Sequence, residues 1–299
     1  MGFYLTVFLF VCITVISVCG VFILTGLTGM FSLGQGAFMA LGAYTTGLSM
    51  ISFGLPFPIA LIVGVLTGMI TALIVGIPTL KLRRDYFVLV TFGFGEAVAG
   101  ILNLAIRLTG GAVGLIGIPR ATTPALVIIS AILIIIMTRH VKYSRFGRIC
   151  IAIKNDELTA RSFGVNVFAH KMKVFILSAA LSAYAGGLYA ALITFVEPAM
   201  FRWIISAEWV IFVFFGGVNS LTGTITAAFF LSILPETLRF AREFQILIYT
   251  ILVLLILNFR PKGLFGSWEL SPRNIMKIFR SIKRRLFSRQ LLDDGGLDR

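Results

Sequence analysis

Long apolar runs separated by short breaks of glycine, proline, serine and threonine organise this chain. They cover Phe3–Leu24, Leu33–Ser52, Pro56–Leu80, Tyr86–Ile106, Pro124–Thr138, Met172–Thr194, Ile204–Gly217, Leu221–Pro235 and Phe244–Phe259. Most are near the roughly 20 residues that cross a hydrocarbon core of about 30 Å as a helix. The first 80 residues contain no Lys, Arg, Asp, Glu or His. The pattern predicts an all-α, polytopic transmembrane helical bundle with nine crossings, eight to ten being compatible with it. The run Ile204–Gly217 is too short for a full crossing and reads equally well as a half-helix or re-entrant segment, because a helix rises only about 1.5 Å per residue.

Composition agrees: 58% of the 299 residues are hydrophobic and 13% are charged, against about 25% charged in a soluble domain. No polar stretch is long enough to bury a core of its own, so residues 1–266 read as one membrane domain and 267–299 as a basic tail. The N-terminus lacks a basic region ahead of its apolar run, so Phe3–Leu24 is expected to be a retained helix rather than a cleaved signal. Cys12, Cys19 and Cys150 show no metal-binding spacing and read as small apolar fillers plus one loop thiol.

A net charge of +14 would suit nucleic acid, but its distribution points to topology instead. Lys81, Arg83 and Arg84 form one cluster, eight Lys and Arg residues from Arg139 to Lys173 a second, and the segment from Arg260 onward a third. The positive-inside rule puts all three in the cytoplasm and the N-terminus outside. In the tail, Ile275, Ile278, Phe279, Ile282 and Leu286 recur at helical spacing among basic residues, the pattern of an interfacial helix on an anionic leaflet.

Glycines cluster around polar residues at membrane depth, which lipid tolerates only inside the protein or along a watery cavity. Gln35 lies in the first cluster, Thr91 and Glu96 flank Gly93 and Gly95, and Thr109 and Gly110 open the segment after the fourth run. Gln35, Thr91, Glu96, Thr109 and Gly110 are therefore the expected lining of a substrate path, with broken or short helices near it. Glu96 stands out as the carboxylate in the middle of an apolar segment. It suits a substrate ammonium, a proton carrier, or a partner for a helix-end arginine. No second acid, His or Lys shares that stretch, so a proton relay lacks its members.

The loop 139–171 is the other informative region. Asn155 is expected as an N-cap, Asp156 and Glu157 suit the positive end of a short helix, Arg161 its last turn and Gly164 its C′ position. A capped helix between two crossings has the form of a docking surface for a partner.

The segments FSLGQGAFMALGAY (Phe31–Tyr44), DYFVLVTFGFGE (Asp85–Glu96), LTGGAVGLIGIP (Leu108–Pro119), the Ser144–Gly164 loop, FGGVNSLTGT (Phe215–Thr224), LPETLR (Leu234–Arg239) and FRPKGLFG (Phe259–Gly266) occur in this order. Together they resemble the permease subunits of branched-chain amino-acid ABC importers, of the LivM type. The resemblance implies a multi-pass permease of the bacterial inner membrane, paired with a homologous permease, two ABC ATPase subunits and a periplasmic substrate-binding protein. It also implies that the Ser144–Gly164 loop contains the coupling helix that docks on an ATPase, for which the best-capped candidate carries Asn155, Asp156, Glu157, Arg161 and Gly164. Ala99 stands where the family often has an arginine three residues after the acid, so no ion pair is carried over there. Relatives handle branched-chain or other amino acids, urea or short amides.

No G-x-x-x-x-G-K-[ST] phosphate loop is present. The chain is thus expected to be no enzyme and to bind no cofactor, ATP and Mg²⁺ being held by the ATPase subunits. A stand-alone secondary carrier would want more carboxylates at the midplane. A membrane enzyme would need a catalytic set that His140 and His170, both in the basic loop, do not supply.

Overall fold

The computed structural model describes residues 2–237 and, beyond them, 248, 250, 251, 254, 258, 259, 263–266, 268 and 269. The expected crossing Phe244–Phe259 and the interfacial helix of the tail lie outside the described residues as elements. Among the described residues the chain is a helical bundle in which six helices are long and apolar enough to cross a membrane. Its elements are α1 (Phe3–Val21), continued by a π-helical segment Phe22–Leu27, then α2 (Gln35–Ser52), α3 (Phe57–Thr79), α4 (Arg84–Leu104) and the single turn α5 (Ile106–Thr109). They continue with strand β1 (Leu115–Ile116), α6 (Pro124–Tyr143), α7 (Arg145–Asn155), α8 (Glu157–Ser162), α9 (Val167–Ile193), strand β2 (Phe195–Val196), α10 (Trp203–Gly216) and α11 (Leu221–Thr237). The two strands pair antiparallel, Leu115 opposite Val196.

Helix α9 is the central post, packed against α1, α2 and α3. Its Ala-, Gly- and Ser-rich sequence explains the position: lipid tails supply no hydrophobic drive between helices, so close backbone approach must supply dispersion contact instead. A Cβ on Gly42 of α2 would sit 2.1 Å from the Ala183 carbonyl oxygen, and one on Gly186 of α9 would sit 2.0 Å from that of Met39. Only glycine fits on either side of that crossing. The outer helices reverse the soluble pattern, with Ile62 and Ile74 of α3, Leu89 and Ile101 of α4 and Ile129 and Leu133 of α6 all exposed. Large apolar side chains on the outside suit acyl chains.

The first two basic clusters meet at one end of the bundle. Lys81, Arg83, Arg161 and Lys171 line a single cleft of about 490 Å³. Lys142 at the end of α6 pairs with Glu269, whose carboxylate also accepts from Tyr143 and from the Leu221 backbone N–H at 3.1 Å. Burial raises the Glu269 pKa, but the bonds from Lys142, Tyr143 and Leu221 outweigh it and hold the carboxyl below its ordinary value. The three cysteines are free and buried. Cys150 lies on the inner face of α7 with Gly147 and Ile153 rather than in a loop, and burial pushes its thiol up to about 12.

Candidate functional site: a mid-depth helix junction and a capped segment at the basic end

Two helices begin inside the membrane-spanning layer and run in opposite directions. Helix α10 starts at Trp203 beside Glu96, which lies about 18 Å along α4 from Arg84 and about 12 Å before Leu104 at roughly 1.5 Å per residue. From there α10 descends to the basic end, where Asn219, just past it, bonds Lys154 of α7 at 2.9 Å. Helix α2 starts at Gln35, level with Ser182 in the middle of α9, and climbs to the other end, where the Tyr44 hydroxyl donates to the Val196 carbonyl at 3.2 Å. The starts of the two helices touch: the Gly36 N–H donates to the Ser206 hydroxyl at 2.7 Å.

Each helix start leaves N–H groups without intrahelical acceptors and carries partial positive charge. At α10 the chain answers with Glu96. The Arg202 guanidinium, at the N-cap position, donates to Glu96 Oε2 from Nη2 at 2.9 Å and from Nε at 3.3 Å, and the Trp203 N–H reaches Oε1 at 3.4 Å. Glu96 thus stands beside a helix-end arginine, one of the three partners open to it by sequence. The partner comes from 106 residues away rather than from position 99. The pair is not sealed in: the Arg202 side chain is 51% exposed and that of Glu96 29%.

At α2, Gln35 is fully buried, its Oε1 accepting from the Ser182 hydroxyl at 3.0 Å, while its Nε2 has no partner among the described residues. Thr91 is equally buried and clamps the approach to α2, accepting from the Leu33 N–H at 3.2 Å and donating to the Val88 carbonyl at 3.0 Å. Gln35, Thr91 and Glu96 thus come together at one junction, the first two fully buried and Glu96 partly exposed. Thr109 and Gly110 do not join them. Thr109 donates to the Leu102 carbonyl at 2.6 Å and Gly110, at φ +76°, turns the chain toward β1 beyond the end of α4.

Glu96 is not alone at this depth. Glu208, within the run read as a short segment, lies five residues into α10 and faces a cavity walled by α1 and α11. Its signal was a single acid inside an otherwise apolar run, the same one that singled out Glu96.

At the basic end, one expected helix becomes two. The Ser144 hydroxyl caps α7, accepting from the Gly147 N–H at 3.2 Å. Asn155, expected as an N-cap, is instead the last residue of α7. The cap of α8 is Asp156, whose carboxylate accepts from the Leu158 N–H at 2.8 Å and the Thr159 N–H at 3.2 Å. The shift of one residue has a physical reason: Asp156 has the extended φ and ψ of a cap (−155°, 112°), and its oxygens also take the Thr159 hydroxyl. Those bonds, the Thr159 hydroxyl first, lower the Asp156 pKa. Gly164 holds the C′ position at φ +78°, its N–H on the Arg161 carbonyl at 2.9 Å and the Val165 N–H on that of Ala160 at 3.2 Å, the paired bonds of a Schellman stop.

Side-chain directions in this segment were not legible from spacing. Glu157 turns inward to pair with Lys171 of α9. Leu158 and Phe163 point outward, 74% and 83% exposed. Lys154 ties α7 to the membrane core, donating to the Gly26 carbonyl at 2.8 Å in the π-helical end of α1.

The comparisons with known proteins bear on the whole of this architecture. The family described as "Branched-chain amino acid transport system / permease component" matches residues 3–257. The chain is 32% identical over 279 residues to the high-affinity branched-chain amino acid transport system permease protein LivM of Escherichia coli K12, covering 82% of this chain and 66% of that protein. It is 24% identical over 235 residues to the probable LivM of Methanocaldococcus jannaschii, covering 69% of this chain and 67% of the relative. It is 26% identical over 145 residues to the permease LivH of Escherichia coli K12, covering 48% of this chain and 46% of that relative. The chain thus spans just under two thirds of the length of the Escherichia coli LivM. No solved structure matches. With the family matched along nearly the full bundle, from α1 past α11, the chain belongs to the permease components of branched-chain amino acid transport systems.

Proposed function

We propose that this chain is a permease subunit of an ATP-binding-cassette importer that passes branched-chain amino acids across a bacterial inner membrane. In this reading it forms the path with a homologous permease, receives substrate from a periplasmic binding protein and is driven by two separate ATPase subunits that bind ATP and Mg²⁺. The family membership carries the reading, and the junction of two helix starts at membrane depth supports it. Discontinuous helices of that kind offer polar backbone groups to a solute that would otherwise meet only hydrocarbon.

The basic end supports a coupling role for residues 155–164, in altered form. Contact with the ATPase falls to Leu158 and Phe163, apolar side chains held outward by a helix that is capped at both ends. Asp156 and Gly164 shape that helix. Glu157, through Lys171, transmits its displacement to α9. Arg161 stands on the adjacent basic cleft, and Asn155 is the joint between α7 and α8.

The test is reconstitution of the chain with its partners in proteoliposomes and measurement of ATP-dependent uptake of radiolabelled leucine with binding protein outside. Uptake that requires both ATP and the binding protein is the expected result. Uptake independent of ATP would instead make the chain a secondary carrier.

A further inference from the structure

Glu208 presents a problem that the junction does not solve. It lies in the second turn of α10, about midway along the span Pro198–Gly216, at the level of Thr14 in the middle of α1. A carboxylate at this depth is costly unless it is paired. Glu96, on α4, has Arg202 at the start of α10. Among the described residues Glu208 makes no ion pair and no hydrogen bond, although the Thr14 and Ser232 hydroxyls share its cavity. What faces it is space: a cavity of about 260 Å³ between α1, α10 and α11.

The lining of this cavity restricts what can fill it. Phe10, Trp209 and Phe212 supply aromatic surface, Val7, Val11 and Ile205 aliphatic surface, and the Thr14 and Ser232 hydroxyls the main neutral hydrogen-bonding groups. An anion would meet Glu208 with no cation in the cavity's described lining to offset it. The volume suits a small ligand, since drug-sized sites run to roughly 300–1,000 Å³. A small molecule with one cationic group and an apolar body satisfies every wall: its cation neutralises Glu208 and borders aromatic faces, a favourable arrangement for an ammonium, while its body contacts the aliphatic side chains. If it also carries a carboxylate, two hydroxyl donors are at hand.

We infer that the α1–α10–α11 cavity is a binding site for a small aliphatic amino acid, held by an ion pair between its α-ammonium and Glu208. The site deepens the permease reading and rests on it. It differs from the Glu96–Arg202 pair, which is internally neutral and leaves no charge for a ligand.

The experiment uses the complete importer, purified with its partner subunits in lipid nanodiscs. Dicyclohexylcarbodiimide, which enters membranes and modifies carboxyl groups there, is applied and the adduct on the Glu208 peptide is quantified by mass spectrometry. Leucine or isoamylamine, which keeps the ammonium but lacks the carboxylate, is expected to reduce labelling of Glu208 severalfold, whereas 4-methylpentanoate, which lacks the ammonium, leaves it unchanged. In parallel, Glu208→Gln is expected to lower leucine uptake at least tenfold in an importer that still assembles. Labelling of Glu208 that neither leucine nor isoamylamine reduces overturns the site, whether or not the variant assembles. So does a Glu208 that resists labelling and is cross-linked to a lysine of a partner subunit, or wild-type uptake by Glu208→Gln. Unprotected Glu208 together with ATP-driven leucine uptake by the wild type overturns this site alone. A wild type that imports no branched-chain amino acid overturns the functional reading and, with it, the ligand class.

Discussion

Two of the carboxylate–cation pairs among the described residues stand in different solvents, and they do different work. Glu96–Arg202 lies at membrane depth, where the alternative to pairing is an isolated charge against hydrocarbon, so each partner makes the other tolerable. It also sits on the start of the 14-residue α10 and so fixes where that helix begins. Glu157–Lys171 lies at the basic end, where water and neighbouring charges compete with it, and such pairs contribute little to stability, commonly about 0–1 kcal/mol. Its value is geometric: it fastens the six-residue α8 to the 27-residue α9. At depth, the pair determines whether the structure can exist; at the surface, it determines what moves with what.

The largest effect should come from breaking the deep pair. Arg202→Gln leaves the Glu96 charge without its cation, and leucine uptake should fall on the order of tenfold or more, together with a lower yield of assembled protein. The double variant Glu96→Gln/Arg202→Gln removes both charges and should recover much of the assembly. A double variant no better than the single one, by size-exclusion yield and uptake, would show that the two residues are not coupled.

At the basic end the contrast is between the outward and inward side chains of α8. Leu158→Asp/Phe163→Asp should leave the melting temperature of the isolated permease close to wild type yet reduce ATPase co-purification and coupled transport severalfold, because desolvated apolar anchors carry most of an interface's affinity. Glu157→Lys sets a second cation against Lys171 and should instead loosen α8 within the permease itself, seen as faster amide exchange over residues 157–164. If Glu157→Lys alone abolishes ATPase binding while the Asp variants bind normally, the outward and inward assignments are reversed.

The smallest effect concerns the cap. Because folding lowers the Asp156 pKa below its ordinary 3.8, the cap's contribution is complete above that value and is lost as pH falls through the lowered one. Protection of the Leu158 and Thr159 amides should therefore hold at neutral and mildly acidic pH and fade only in strong acid. In Asp156→Ala it should be weak at every pH. Protection in the variant equal to wild type would remove the side chain from the role of cap.

Much of this was legible in the chain. Apolar runs and an uncharged opening of 80 residues were enough for a helical membrane bundle, and of the three basic clusters the two that are described share one end of it. Local rules also worked where the cause is local: Gly164 as a helix stop depends on φ at one residue, and the acidic first turn of α8 on its own dipole. They failed by one residue at Asn155, since both Asn155 and Asp156 are good caps by type and only the end of α7 decides between them.

What the sequence determined by itself was everything set by the solvent: which segments suit lipid, where polar residues at depth require a reason, and which end of the bundle is basic. The tertiary structure alone decided who satisfies whom. Glu96 finds its cation 106 residues away, Gly36 its acceptor 170 residues away, and Glu157 an inward partner instead of an outward one. Hydropathy constrains each residue against its medium and is summed along the chain, whereas pairing depends on which helix starts come to one depth and which faces meet, a property of packing that no run of neighbours encodes. The same limit hid the cavity at Glu208, since one acid in an apolar run is visible in the sequence, but the empty space beside it belongs to three helices at once.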